Sequence, residues 1–96
     1  MTKASALSTL QEINASVSAS AHRELNCKDR ETLTQAARRL SLSVQGDAFA
    51  WQQANWIFNF LKTIFIGTEL EREQHRQQIL LKGQALSRYL SGGEEA

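Results

Sequence analysis

The chain has 96 residues, 42% of them hydrophobic, with 11 Lys and Arg against 10 Asp and Glu and a formal net charge of +1. That length makes one domain, burying roughly 60–65% of its unfolded surface, and the near-zero charge excludes a strong bulk attraction to nucleic acid, anionic lipid or acidic partners. Cys27 is the only cysteine, so no intramolecular disulfide can form and nothing points to an oxidising compartment.

Proline is absent and strand-type runs are few, which favours an all-α protein. The first residues lack an uninterrupted apolar stretch, so no signal peptide is expected and the cytoplasm is the default location. A first helix is predicted over 3–25. Leu7, Leu10, Ile13, Val17, Ala21 and Leu25 make one narrow stripe at spacings of three and four. A second helix follows over 29–43, capped by Asn26 or Asp29, with Leu33, Ala36, Ala37 and Leu40 facing inward. Arg38 and Arg39 lie near its C-terminal end, where cations suit the helix dipole. Gly46-Asp47 reads as a break, with Asp47 as the next N-cap.

The third helix, over 48–66, holds both tryptophans and all four phenylalanines. On a helical projection Gln52, Asn55, Asn59, Lys62 and Thr63 share a narrow polar arc. Ala50, Ala54, Ile57, Leu61, Ile64 and Phe65 centre the opposite face. Phe49, Trp56 and Phe60 flank that face on one side, and Trp51 and Phe58 on the other. An apolar arc far wider than the ~100° stripe of a surface helix needs partners on several sides. Gln53 falls inside it and, if buried, must find hydrogen-bond partners. A membrane-surface role fits poorly, because the polar arc carries a single lysine.

Gly67-Thr68 then breaks the chain, and Thr68 with Glu71 matches a capping box. The alternative, one helix running through Gly67, would cost ~1 kcal/mol. The fourth helix is predicted over 69–90, followed by a disordered tail at 91–96. Ile79, Gly83, Leu86 and Leu90 share one face, while Leu70, Leu81 and Ala85 share roughly the opposite one. Two apolar faces suggest a helix between its own core and a second chain. Glu69–Arg72 and Glu73–Arg76 are i,i+3 pairs that read as a solvated, salt-bridged face. The other reading has Arg72 and Arg76 holding an anion between subunits.

Chemistry-bearing motifs are sparse. His22, Cys27 and His75 lack metal-ligand spacing, so neither a metal nor a cofactor is expected. Cys27 reads as a small buried residue, and His75 as partly buried and satisfied. No phosphate-binding glycine loop and no carboxylate pair on an apolar face are present, so the expectation is a non-enzymatic protein. Residues 33–43 resemble the first helix and turn of the helix-turn-helix family: paired Ala36 and Ala37, Leu40, then Ser41-Leu42-Ser43. That resemblance implies a DNA-binding regulator with Arg38, Arg39 and Gln45 as candidate nucleic-acid contacts. The pattern departs from the family at Val44, where a base or phosphate contact belongs, and at Asp47, a position normally apolar. No Arg or Lys follows before Lys62.

The expected fold is a three- or four-helix antiparallel bundle built around the aromatic helix, with the second and fourth helices on its two broad sides. The expected function is protein interaction, as adaptor, chaperone or inhibitor, through an apolar helical surface that also self-associates. Trp51, Gln53, Trp56, Phe58 and Phe60 are its candidate interface.

Overall fold

The structure is a computed structural model that describes residues 3–92. It is an all-α, antiparallel four-helix bundle: α1 (Lys3–Ala19), α2 (Cys27–Ser43), α3 (Ala48–Phe60) and α4 (Glu69–Leu90). A 3-10 turn at Leu61–Phe65 continues α3. α3 packs between α2 and α4, as its two broad sides require, and α1 closes the bundle by packing on α2 and α4. The register is antiparallel throughout. Asp47 before α3 meets Tyr89 at the end of α4, and Asn14 of α1 faces Gly83 of α4.

α1 is shorter than its stripe suggested and stops at Ala19. Ser20 Oγ donates to the Val17 carbonyl at 2.7 Å, and the next amides bond back in tight turns to Ser18 and Ala19. A hydroxyl that takes a helix carbonyl gives the backbone another way to finish. Ala21 is therefore exposed, and Leu25 enters the core from a loop rather than from a helix stripe. Ala6, Leu10, Ile13 and Val17 carry the packing of α1 and are essentially fully buried.

Asn26 caps α2, accepting from the Asp29 amide at 2.8 Å, and Asp29 reciprocates toward the Asn26 amide. α2 thus begins two residues before the expected start, and Cys27 becomes its first residue. Cys27 is exposed, contrary to its reading as a buried residue. It lies off the stripe of Leu33, Ala36, Ala37 and Leu40, which is buried. Asp47 caps α3 through the Ala50 amide at 3.1 Å, and Thr68 and Glu71 form the capping box that opens α4.

The end of the aromatic helix tightens to three residues per turn. This places Leu61 and Ile64 one above the other, and both are buried. Thr63 Oγ1 takes the Phe60 carbonyl at 2.6 Å, which favours the tighter turn. Gly67 then adopts φ +91, so the chain breaks there instead of running on as one helix. Ser91 and Gly92 form the closing turn of α4; the rest of the tail expected at 91–96 lies outside the described residues.

Leu10, Ile13, Leu40, Ile57, Ile79 and Leu86 form the fully buried centre, one or two from each helix. Each contributes about 1.5–3 kcal/mol of transfer free energy. On α4 the face of Ile79, Gly83, Leu86 and Leu90 is core, while Leu70 and Leu81 remain 69% and 66% exposed. Those two leucines are eleven positions, about three helical turns, apart, so they are isolated rather than one patch.

Candidate functional site

Three rows run along α3. Ala50, Ala54 and Ile57 are core. Phe49, Gln53, Trp56 and Phe60, at helical spacing, form the row beside α4. There the Phe49 and Tyr89 rings lie 4.7 Å apart, Trp56 stacks on Phe60 at 4.3 Å, and Lys82 sits 5.3 Å over Trp56. Gln53 and Trp56 are half-buried and Phe60 is exposed. Trp51, Asn55 and Phe58 form the third row, beside α2. The five candidate interface residues therefore divide between two sides of one helix.

Both sides leave rings open: Trp51 is 41% exposed on the α2 side, where Leu42 adds a 57% exposed leucine, and Phe49 and Phe60 are 43% and 40% exposed on the other. Leu42, Arg38, Ser41, Asn55 and Phe58 line a shallow groove of about 310 Å³ between the two helices. The Arg38 guanidinium lies 5.9 Å from the Phe58 ring centroid, within cation–π range. Arg38 also borders a second depression with Glu31, Thr34 and Gln35, which makes the outer face of α2 continuous with the groove. Leu42 was missed in the sequence, although a leucine off the stripe of Leu33, Ala36, Ala37 and Leu40 was a usable signal.

The candidate nucleic-acid contacts have different neighbours. Arg38 belongs to the groove. Arg39 points to α1, with Glu12 Oε1 at 3.8 Å. Gln45 is exposed in the turn before α3. Val44 is buried and non-helical, and the next helix starts only after Asp47. A recognition helix beginning at Val44 is therefore not formed.

A second site lies at the end of the bundle where α1 leads into α2 and the 3-10 turn leads into α4. A cleft of about 390 Å³ is bordered by Arg23, Arg30, Arg72 and Arg76, together with Glu24 and Glu69. Arg76 departs from the solvated face expected of it, being only 4% exposed. It donates to Glu73 Oε1 from Nε at 3.0 Å and from Nη2 at 2.6 Å, and to Glu69 Oε2 from Nη2 at 2.9 Å. Burial acts most strongly against its charge. The hydrogen bonds it donates to Glu73 and Glu69, and their negative charge, outweigh that, and its pKa is raised. The hydrogen bond from Arg76 in turn leads in holding Glu69 and Glu73 below the ordinary glutamate value.

Glu69 Oε1 also accepts from Arg72 Nη2 at 2.8 Å, so one carboxylate bridges two guanidiniums. Arg72 Nε is buried and has no hydrogen-bond partner. Arg23 pairs with Asp29 at 3.3 Å, and Arg30 lies 4.7 Å over the Phe65 ring. Nearby on α4, His75 is half-buried and its Nδ1 lacks a partner, so that ring is not fully satisfied.

Among the described residues no three His, Cys, Asp or Glu side chains come together as a metal-ligand group, and no helix is long and apolar enough to cross a membrane. No family model, no curated protein and no solved structure matches the chain.

Proposed function

We propose that the protein is a small, non-enzymatic cytoplasmic interaction module that pairs with a second copy of itself through the α2–α3 face. The observation that carries this reading is the exposure of Leu42 and Trp51 beside the Phe58 groove. Water contact with a tryptophan and a leucine on adjoining helices forgoes burial free energy that a partner would recover. Tryptophan and arginine dominate interface energetics; Arg38 lines the groove, and Trp51 lies one helical turn before Asn55, which lines it too.

The charges on the outer face of α2 favour a second copy over an unrelated partner. Glu31 and Arg38 are two turns apart on one side of the helix. A two-fold antiparallel pairing of α2 helices sets each Glu31 against the other copy's Arg38, which is the self-complementarity an isologous interface needs. Adaptor, chaperone or inhibitor activity would follow from that surface meeting a related helix on another protein.

Size-exclusion chromatography with light scattering tests this reading. The expected result is a dimer that dissociates on dilution and is lost in Leu42→Glu. A monomer at all concentrations would overturn the self-pairing.

A further inference from the structure

We propose that the arginine cleft is a binding site for an organic phosphate monoester, and that Glu69 is a built-in competitor for it. This goes beyond the α2–α3 reading and does not depend on it.

Glu69 shows how the cleft holds an anion. Its two oxygens are divided between Arg72 Nη2 at 2.8 Å and Arg76 Nη2 at 2.9 Å. A phosphate presents the same pair of oxygens, with one more and a second negative charge. The Glu69 side chain is 69% exposed, so it can swing into solvent at little cost. Arg76 cannot move likewise, because it is buried and held from behind by Glu73. It is a fixed donor, of the kind that preorganised anion sites use.

Glu69 does not saturate the guanidiniums of the cleft. Arg72 Nε is buried without a partner. Arg30 is in no ion pair among the described residues and rests on Phe65 instead. Glu24 borders the cleft and sets a limit on its attraction. Displacing Glu69 therefore matters more than adding charge.

The ester rather than free phosphate follows from size and lining. A cleft of about 390 Å³ is several times larger than a phosphate ion, and Leu25, Ile64 and Phe65 supply an apolar wall beside the guanidiniums. An organic body can lie against that wall while the phosphate reaches Arg72 and Arg76.

Calorimetric titration of the full chain with phenyl phosphate, and separately with inorganic phosphate, tests the site. The proteins are wild type, Glu69→Ala, and Glu69→Ala combined with Arg72→Gln, each checked for unchanged helicity. Phenyl phosphate should bind one-to-one, and at least about tenfold more tightly to Glu69→Ala than to wild type, the minimum expected from uncovering the two charge-assisted donors that Glu69 occupies. Adding Arg72→Gln should remove that gain, and inorganic phosphate should bind more weakly than the ester. No saturable binding to Glu69→Ala, or equal affinity in the single and double variants, would overturn the site. Equal affinity for the two probes would overturn the ester assignment in favour of free phosphate.

Discussion

Tyr89 Oη donates to Asp47 Oδ2 at 2.6 Å, across 42 positions of sequence. The other oxygen of the same carboxylate caps α3 through the Ala50 amide. One side chain thus both starts the aromatic helix and ties it to the last turn of α4. Tyr89→Phe should cost about 1–2 kcal/mol, since the acceptor is charged but the pair is only part-buried. Asp47→Ala should cost more, because the cap, worth about 1 kcal/mol, is lost as well. Urea denaturation of both variants and of the double variant gives the coupling. A double variant equal to the sum of the two singles would show that the contact contributes nothing.

Arg76 provides a test of burial against charge. Removing one partner of a fully buried ion pair costs about 3–5 kcal/mol. Here the carboxylates left behind are exposed and can rehydrate, so Arg76→Ala should cost less, about 1–2 kcal/mol, much of it lost packing of the alkyl stem. Arg76→Met should be milder still. Thermal unfolding at neutral pH ranks the two, and equal losses would mean that packing of the stem is unimportant.

The pH dependence follows from the same cluster. Glu69 and Glu73 are held below the ordinary glutamate value first by the hydrogen bond from Arg76, and Glu71 by the Thr68 amide. Groups with folded values below their unfolded ones stabilise fully above the unfolded value. That stabilisation is lost as pH falls through the folded value. The urea midpoint should therefore hold near neutrality and decline below about pH 4.5. A glutamine at position 73 should flatten the decline. A Glu73→Gln profile superimposable on wild type would sink this assignment.

Trp51 and Trp56 should behave differently although they are five residues apart. Trp56 is half-buried, stacked on Phe60 and covered by Lys82. Trp56→Ala should therefore destabilise by about 2–4 kcal/mol, somewhat less than a full core truncation. Trp51→Ala should leave the thermal midpoint nearly unchanged while weakening self-association. Circular dichroism melts alongside light scattering separate the two effects. Unfolding of the Trp51 variant would place that ring in the core and remove it from the interface.

Gly83 is a contact site rather than a weak point of α4. A Cβ there would lie 2.2 Å from Asn14 Oδ1, an atom already buried and unbonded. Gly→Ala inside a helix ordinarily gains about 1 kcal/mol. At position 83 the forced turning of the Asn14 amide should reverse that sign. Combining Gly83→Ala with Asn14→Ala removes both the clash and the unpaired oxygen, so the double variant should melt above Gly83→Ala alone. Failure of that rescue would mean that Asn14 is not what limits the approach.

These particulars separate what is legible in the residues from what is not. Asp47 and Thr68 with Glu71 were readable as caps because a cap is a local event, settled within four residues. The core stripes of α2 and α4 were readable because their periodicity and their packing agree. The end of α1 was not: Leu25 continues the spacing of Val17 and Ala21, yet it reaches the core after a chain reversal. Arg76 was misread because an i,i+3 pair looks the same in sequence whether solvent or protein covers it. The exit of α1 and the 3-10 turn border the same cleft as Arg76, and nothing within an i,i+3 spacing announces them. Of the site, Trp51 and Phe58 were visible as flanking residues, but Leu42 and Arg38 joined them only through the α2–α3 register.

With Asn14 set against Gly83 in an antiparallel pair, the N-terminal end of α1 lies toward the C-terminal end of α4. The two ends of the described chain therefore leave from the same pole of the bundle, and the arginine cleft occupies the other. A short flexible linker could join them into a closed circle, and new ends could then be opened in the exposed loop at 21–24. Such a permuted chain should keep all four helices and their order around the ring, while its folding would begin from a different pair of neighbours.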